Sequence, residues 1–195
     1  MARKVIVHVG APKTGTSFVQ DLLFHAREPL AAIGVRYPAD RFDAHFLAAL
    51  DLNLASSVAE VRTYSVGRYR EALLLGAELG ARGVVAVPGR VSPLIGPPRE
   101  ETERWLAESV EELLAAAGES DASVFLELHP QTPIPTVDAL DRFVAGFADP
   151  RLRVAYDVAN AEFVSEDHGD ALRRLAPRLG QVHLSDASET RWAHD

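Results

Sequence analysis

The chain has 195 residues, of which 47% are hydrophobic and 25% charged, a composition that excludes a disordered or collagen-like protein and suffices for one substantial core. Its net charge of −8 argues against a basic nucleic-acid-binding face, and the absence of cysteine excludes disulfides, thiolate nucleophiles and cysteine-based zinc sites. No apolar run approaches the roughly 20 residues of a membrane span, so we expect a soluble, cytoplasmic protein with no nucleic-acid or membrane partner.

The start of the chain predicts a strand, a turn and a helix. Residues 4–9 form an apolar stretch of strand length, and residues 16–33 carry apolar side chains at helical spacing. Residues 34–38 suit a second short strand, which ends at Pro38 because proline has no amide hydrogen to donate to a sheet. From 42 to 66 the pattern is irregular.

The turn between the first strand and the helix is suited to bind an anion. Backbone amides and the positive end of the helix dipole converge there. Its glycines allow a tight turn, its lysine adds charge and its hydroxyls donate hydrogen bonds; the phosphate-binding candidates are Gly10, Lys13, Thr14, Gly15, Thr16 and Ser17. The lysine precedes the second glycine, whereas it follows that glycine in a Walker A motif. The unit is therefore P-loop-like, and a turn that only caps the helix is the alternative.

Pro12-Lys-Thr-Gly-Thr-Ser17 after an apolar strand, with Gly34-Val-Arg-Tyr-Pro38 downstream, closely resembles the N-terminal phosphosulfate-binding segment of the sulfotransferase family. The resemblance covers residues 1–53. It implies that Lys13, Gly15, Thr16 and Ser17 hold the phosphosulfate of 3′-phosphoadenosine 5′-phosphosulfate (PAPS). The strand with an Arg and Ser pair that would hold the 3′-phosphate, and the rest of a sulfotransferase, are missing from the sequence.

Residues 54–195 alternate between strand and helix patterns. The predicted strands are 83–87, 123–128, 152–157 and 180–184, with a fifth at 50–54 if that run is a strand, and the predicted helices are 66–81, 100–117, 136–147 and 168–178. Apolar strands separated by helices indicate a parallel sheet, in either a doubly wound sheet or a (β/α) barrel. A complete barrel has eight units and needs roughly 250 residues. The expected fold is therefore α/β, a partial (β/α) barrel preceded by the P-loop-like strand-turn-helix.

Polar side chains stand where three successive predicted strands end. Glu127, Asp157 and His183 each follow an apolar run, and functional residues of parallel α/β folds gather at the carboxyl ends of the strands. Two carboxylates and an imidazole suit Mn²⁺, Mg²⁺, Co²⁺ or Zn²⁺. Asp157 could instead cap the segment that follows it, and His183 could be an interior histidine with satisfied hydrogen bonds.

The segments Leu126-Glu-Leu-His129, Tyr156-Asp-Val-Ala-Asn-Ala161 and Gln181-Val-His-Leu-Ser-Asp186 resemble the sugar phosphate isomerase/epimerase family of xylose-isomerase-like barrels. The resemblance implies that the three strand-end residues bind a metal and that Glu127 is also catalytic. It further implies sugar or sugar phosphate as substrate, with contacts from Asn160 and Arg191. Arg90 and His129 are added as substrate-binding candidates because each follows a strand end, and surface or loop residues without function are the alternative for both. Asn160 stands where many members have a histidine. In this family a Glu on the final strands of the barrel usually supplies the fourth ligand, and those strands are not found in the sequence up to Asp195.

We expect a chimera in which a sulfotransferase-like segment, 1–53, joins a partial barrel, 54–195, near residues 51–54. The exposed strand edges of such a barrel would be covered by the N-terminal segment or by a second copy in a homodimer. Three functions stay open from the sequence: a metal-dependent sugar isomerase or epimerase, a PAPS-dependent sulfotransferase or nucleotide-phosphate-binding protein, and a non-catalytic remnant.

Overall fold

The computed structural model describes residues 27–32, 52–91 and 96–184, and the chain divides into two compact units at the boundary between Asp51 and Leu52. In the first unit, the described element is helix α1 (Arg27–Ala32), which lies within the helix predicted over 16–33. The strands predicted at 4–9 and 34–38 lie outside the described residues. In the described parts of the chain, no helix is long and apolar enough to cross a membrane.

The second unit alternates helices and strands, as predicted. Its elements are α2 (Ala59–Glu78), β1 (Gly83–Ala86), α3 (Arg99–Ser120), β2 (Ser123–Glu127), α4 (Val137–Ala145), β3 (Leu152–Asp157), α5 (Val158–Phe163), α6 (His168–Leu175) and β4 (Leu179–His183). The strands form one parallel sheet in the order β1-β2-β3-β4. Strand order that follows chain order is the arrangement of a (β/α) barrel, whereas a doubly wound sheet reverses its order. The predicted α/β class with a partial barrel is confirmed.

Two predictions of local structure were wrong. Leu52 to Leu54 lie in a loop and a turn rather than in a strand, and helix α2 begins at Ala59 instead of 66. The added first part of α2 contains Ser65, whose hydroxyl donates to the Val61 carbonyl and accepts from the backbone N–H of Asn53. These bonds satisfy a fully buried serine in a segment that has little helical pattern of its own.

Three helices of the second unit, α4, α5 and α6, begin at a residue whose side chain caps the helix. Thr136 accepts a hydrogen bond from a backbone N–H of the first turn of α4, and Asp167 does the same for α6. Helix α3 carries Glu100 and Glu101 in its first turn, where the helix dipole favours negative charge. Helix α5, which the sequence analysis did not predict, has Asp157 as its N-cap.

The hydrophobic core lies between the sheet and the helices. Side chains of a strand point alternately to its two faces. In β2, Val124 and Leu126 belong to the core cluster, and in β3 the core residues are Leu152, Val154 and Tyr156. Glu127 and Asp157 consequently point to the other face of the sheet, which is the interior face of a barrel.

The register between β3 and β4 contains one irregularity. Val154 pairs with Leu179, but the next residue, Ala155, pairs with Gln181, so Gly180 is an extra residue in β4. Such a bulge reverses which face the following side chains occupy. After the bulge, Gln181 shares a face with Ala155, and His183 shares a face with Asp157.

Candidate metal centre

The three predicted ligands occupy the last position of three adjacent strands. Glu127 ends β2, Asp157 ends β3 and His183 ends β4. Because the strands are parallel, these ends lie along one edge of the sheet, and the alternation described above directs all three side chains to the interior face. The structure therefore brings together the residues that the sequence analysis selected as metal ligands.

The distances between these side chains are short enough for one shared ion. Each residue offers one ligand atom, and the three atoms lie within 4.8 Å of one another. Nδ1 of His183 is 3.3 Å from Oε1 of Glu127 and 3.6 Å from Oδ2 of Asp157. Ala155, which pairs with Glu127 in the register of the sheet, is small enough to let the glutamate and the histidine meet across β3.

The site concentrates negative charge in a buried place. Glu127 is 5% exposed and Asp157 is 1% exposed. Burial raises the pKa of Glu127, and the hydrogen bond and positive charge of His183 oppose that rise. The nearby carboxylates, first of Asp157 and then of Glu127, raise the pKa of His183 to about 9. In the metal-free protein the imidazolium thus balances carboxylates that a cation would otherwise neutralise.

The donor set fits a divalent ion of the first transition series, or Mg²⁺. Two carboxylate oxygens and one imidazole nitrogen are hard-to-borderline ligands, and atoms bound to one such ion at about 2.0–2.2 Å lie up to about 4.4 Å apart. A spacing within 4.8 Å needs little adjustment to meet that condition. Among the residues that the structure describes, this is the one cluster of three or more metal-ligating side chains.

The structure shows Asp157 as a helix cap and leaves its second oxygen in the candidate metal cluster, so capping and ligation do not exclude one another. Its Oδ1 accepts the backbone N–H of Asn160 at 2.8 Å, which caps α5. Its Oδ2 faces Nδ1 of His183. The cap fixes the side-chain rotation of Asp157, and so it holds the second oxygen toward the candidate metal position.

Asn160 uses its side chain within the protein. It is 4% exposed, and its Nδ2 donates to the carbonyl oxygen of Leu128 at 2.8 Å. Since Leu128 directly follows Glu127, this bond ties the end of β2 to the start of α5. The residue assigned to substrate contact by resemblance therefore also connects the backbones that carry the two carboxylates.

His129 and Arg90 follow β2 and β1 in the chain. Nδ1 of His129 accepts the backbone N–H of Gln131 at 3.3 Å, and burial together with the charge of Arg90 lowers the pKa of His129 to about 4. The side chain of His129 is consequently neutral near pH 7. Arg90 is exposed, and its carbonyl oxygen accepts a hydrogen bond from Nδ2 of Asn53. Arg191 lies outside the described residues.

Two residues near the centre were missed in the sequence analysis. The side-chain nitrogen of Gln181 lies 3.0 Å from Nε2 of His183. The two-residue spacing of Gln181 and His183 could have indicated this contact, because it puts both side chains on one face of a strand.

Tyr69 of α2 accepts the backbone N–H of Val87 at 3.1 Å. Burial, and to a smaller degree the charge of Glu127, raise the pKa of Tyr69 to about 12. The sequence contains no signal for that long-range contact.

A family model described as "Xylose isomerase-like TIM barrel" matches residues 25–194. Among solved structures, a 3-keto-D-glucoside 4-epimerase from E. coli is similar with a TM-score of 0.65 and 16% identity, over 87% of this chain and 66% of the other. An L-ribulose 3-epimerase has a TM-score of 0.65 and 19% identity, over 77% and 57%. The IolI protein, whose structure contains a bound zinc atom, has a TM-score of 0.60 and 18% identity, over 69% and 48%.

The chain thus spans about half to two thirds of the length of these three structures. The search of curated proteins found no match. At these identities, the structural likeness shows the fold.

The comparisons do not support the sulfotransferase resemblance of residues 1–53 or the expected chimera. The family model runs without interruption from residue 25 through the expected junction near 51–54. The phosphate-binding candidates Gly10, Lys13, Thr14, Gly15, Thr16 and Ser17 lie outside the described residues. Binding of PAPS at that turn stays a prediction from sequence.

Proposed function

Since the chain belongs to the xylose isomerase-like TIM barrel family, we propose that it is a divalent-metal-dependent sugar isomerase or epimerase. The observation that carries this proposal is the cluster of Glu127, Asp157 and His183, with ligand atoms within 4.8 Å of one another at the ends of adjacent parallel strands. That edge of the sheet is where enzymes with (β/α) barrels have their active sites.

Glu127 is the residue proposed to move the proton. Isomerisation and epimerisation beside a carbonyl require a base that removes a proton from carbon and a site that returns it. Glu127 lies at the buried end of β2 within the cluster, where its carboxylate is a candidate acceptor for a proton from carbon. In isomerisation, a carboxylate that accepts the proton from one carbon can give it back to the neighbouring carbon. In epimerisation, the proton must return to the same carbon from the opposite face, which requires a second proton donor besides Glu127.

The metal ligands proposed are Glu127, Asp157 and His183, and Mn²⁺, Mg²⁺, Co²⁺ and Zn²⁺ all suit them. When bound, such an ion supplies Lewis-acid polarisation of a carbonyl or alkoxide oxygen of the sugar. The zinc atom bound in the similar IolI structure supports a divalent metal ion for this protein.

The substrate class proposed is a small sugar or sugar phosphate. The epimerase names of two similar structures support this class. His129 is neutral near pH 7 because its pKa is lowered to about 4, and a neutral imidazole exchanges hydrogen bonds with sugar hydroxyls. Arg90, Asn160 and Arg191 complete the proposed substrate contacts, with Arg90 able to pair with an anionic group.

We also propose that the protein forms a homodimer in which the second copy covers the exposed end of β4. Leu184, which follows β4, is 83% exposed, and Val182 within it is 39% exposed. Sedimentation analysis of the full chain tests this proposal, and a monomer at all concentrations would contradict it.

The first experiment is a calorimetric titration of chelator-treated protein with Mn²⁺. We expect saturable binding of about one ion per chain, and Glu127→Ala and Asp157→Ala should each abolish it because each removes a charged ligand. Glu112→Ala is the matched control, since Glu112 is an exposed glutamate on α3. Binding that persists in both ligand variants, or no binding by the wild-type chain, would contradict the metal centre. With binding established, interconversion of ketoses and aldoses and epimerisation of ketoses are each assayed with and without the ion.

A further inference from the structure

The side chain of Gln181 makes the closest described contact to the far nitrogen of His183. Its side-chain nitrogen lies 3.0 Å from Nε2, whereas Nδ1 on the other side of the ring faces Glu127 and Asp157. Nδ1 is therefore the nitrogen available to a metal ion, and Nε2 is the nitrogen that a protein partner must satisfy.

The chemistry of imidazole decides what this partner has to be. A histidine that binds a metal through Nδ1 uses the lone pair there, so its proton is on Nε2 and requires a hydrogen-bond acceptor. The amide of glutamine carries both an acceptor oxygen and a donor nitrogen, and a half-turn of the amide exchanges their positions. Gln181 can therefore present Oε1 to the Nε2–H of a metal-binding His183.

The backbone fixes the two side chains relative to one another. Gln181 and His183 are two residues apart on β4, and they follow the extra residue Gly180. In the sheet register Gln181 pairs with Ala155, which has a small side chain and leaves room for the glutamine beside the ring.

We propose that Gln181 is a positioning residue of the metal centre: its side-chain amide accepts the Nε2–H of His183 and so keeps Nδ1 directed at the metal, between Glu127 and Asp157. This inference rests on the metal centre of the proposed function. It adds a residue outside the ligand set that determines how tightly the ligand set binds.

The test compares two substitutions that differ in whether they retain an acceptor. Gln181→Met keeps a similar length without an amide or carboxylate oxygen, and Gln181→Glu keeps an acceptor. We expect the dissociation constant for Mn²⁺ to rise by about 10–100-fold in Gln181→Met and to stay at or below the wild-type value in Gln181→Glu. Gln131→Met is the control, because Gln131 is exposed and its described hydrogen bonds use backbone atoms only.

A second measurement reads the hydrogen bond directly. In the Zn²⁺-loaded protein, the imidazole N–H proton of His183 should give a slowly exchanging NMR signal in the wild type and in Gln181→Glu. The signal should exchange rapidly in Gln181→Met at saturating Zn²⁺.

Wild-type affinity in Gln181→Met would overturn the inference while leaving the metal centre intact. An equal loss of affinity in Gln181→Glu would also overturn it, since the amide would then act through packing. A wild-type chain that binds no metal would overturn the inference together with the metal centre.

Discussion

Metal binding should be strongly pH-dependent, because Nδ1 of His183 must lose a proton before it can bind an ion. In the metal-free protein the carboxylates of Asp157 and Glu127 raise the pKa of His183 from 6.5 to about 9. The perturbation is therefore a change of pH between 6.5 and 8.5, which changes the fraction of protein with a free lone pair on this nitrogen.

The size of the effect follows from that pKa. The difference between about 9 and 6.5 corresponds to about 3 kcal/mol in favour of the imidazolium. The side chain of His183 is 11% exposed, so solvent screens this interaction little. Below the pKa, each pH unit changes the metal-competent fraction about tenfold, so the affinity for Mn²⁺ should rise by close to a hundredfold from pH 6.5 to 8.5. The raised pKa of Glu127 acts in the same direction.

The same proton affects the stability of the metal-free fold with the opposite sign. A histidine with a raised pKa stabilises the folded state fully below its unfolded pKa of about 6.5, and this contribution is lost as the pH rises through about 9. Denaturant unfolding of the metal-free protein should thus show a decline in the free energy of unfolding over this interval. The part of this decline in the free energy of unfolding that is due to His183 should be absent in His183→Gln.

Isothermal titration calorimetry measures the linkage directly. Titrations with Mn²⁺ at pH 7 in buffers of different ionisation enthalpy should show about one proton released per ion bound. His168→Gln is the control, because His168 pairs with Glu162 and Tyr156 outside the metal centre. An affinity that is constant from pH 6.5 to 8.5, without proton release, would refute the argument that the imidazolium occupies the metal-free site.

Three substitutions test the packing that supports the centre, by denaturant unfolding of the metal-free protein. Gly180→Ala should destabilise the fold by about 1–3 kcal/mol and weaken Mn²⁺ binding, because its Cβ would lie 2.4 Å from the ring of Phe125. Tyr69→Phe should cost about 1–3 kcal/mol, since the backbone N–H of Val87 loses its acceptor. Thr136→Ala should cost about 1 kcal/mol through loss of the N-cap of α4, and it should leave metal affinity unchanged.

The fold was predicted best from the sequence where the local pattern of apolar and turn residues agrees with the contacts that the segment makes in the sheet. Strand β3 has the predicted bounds, Leu152–Asp157, because an apolar run follows a turn at Asp149-Pro150. The predicted start of α2 was wrong because contacts of this part of the helix are made with residues distant in the sequence. Ser65 is satisfied by Asn53, twelve residues away, and no periodicity in the sequence reports such a bond.

The clustering of the three candidate ligands could be predicted because each is a polar residue at the end of an apolar strand. The cap formed by Asp157 was also visible, as a residue type that starts helices, but the sequence presented capping and ligation as alternatives. The structure shows that the two oxygens of Asp157 face different partners. A carboxylate can serve both purposes because its oxygens accept independently.

The position of His183 depends on a feature that sequence spacing does not reveal. If β4 continued from Leu179 without a bulge, Asp157 would pair with Val182, and His183 would point to the opposite face. The extra residue at Gly180 restores His183 to the interior face. Only glycine fits there without displacing Phe125, whose ring would lie 2.4 Å from an added Cβ. The side chain of the third candidate ligand therefore reaches the interior face because β4 has a glycine at the one position where Phe125, two strands away, leaves no room for a Cβ.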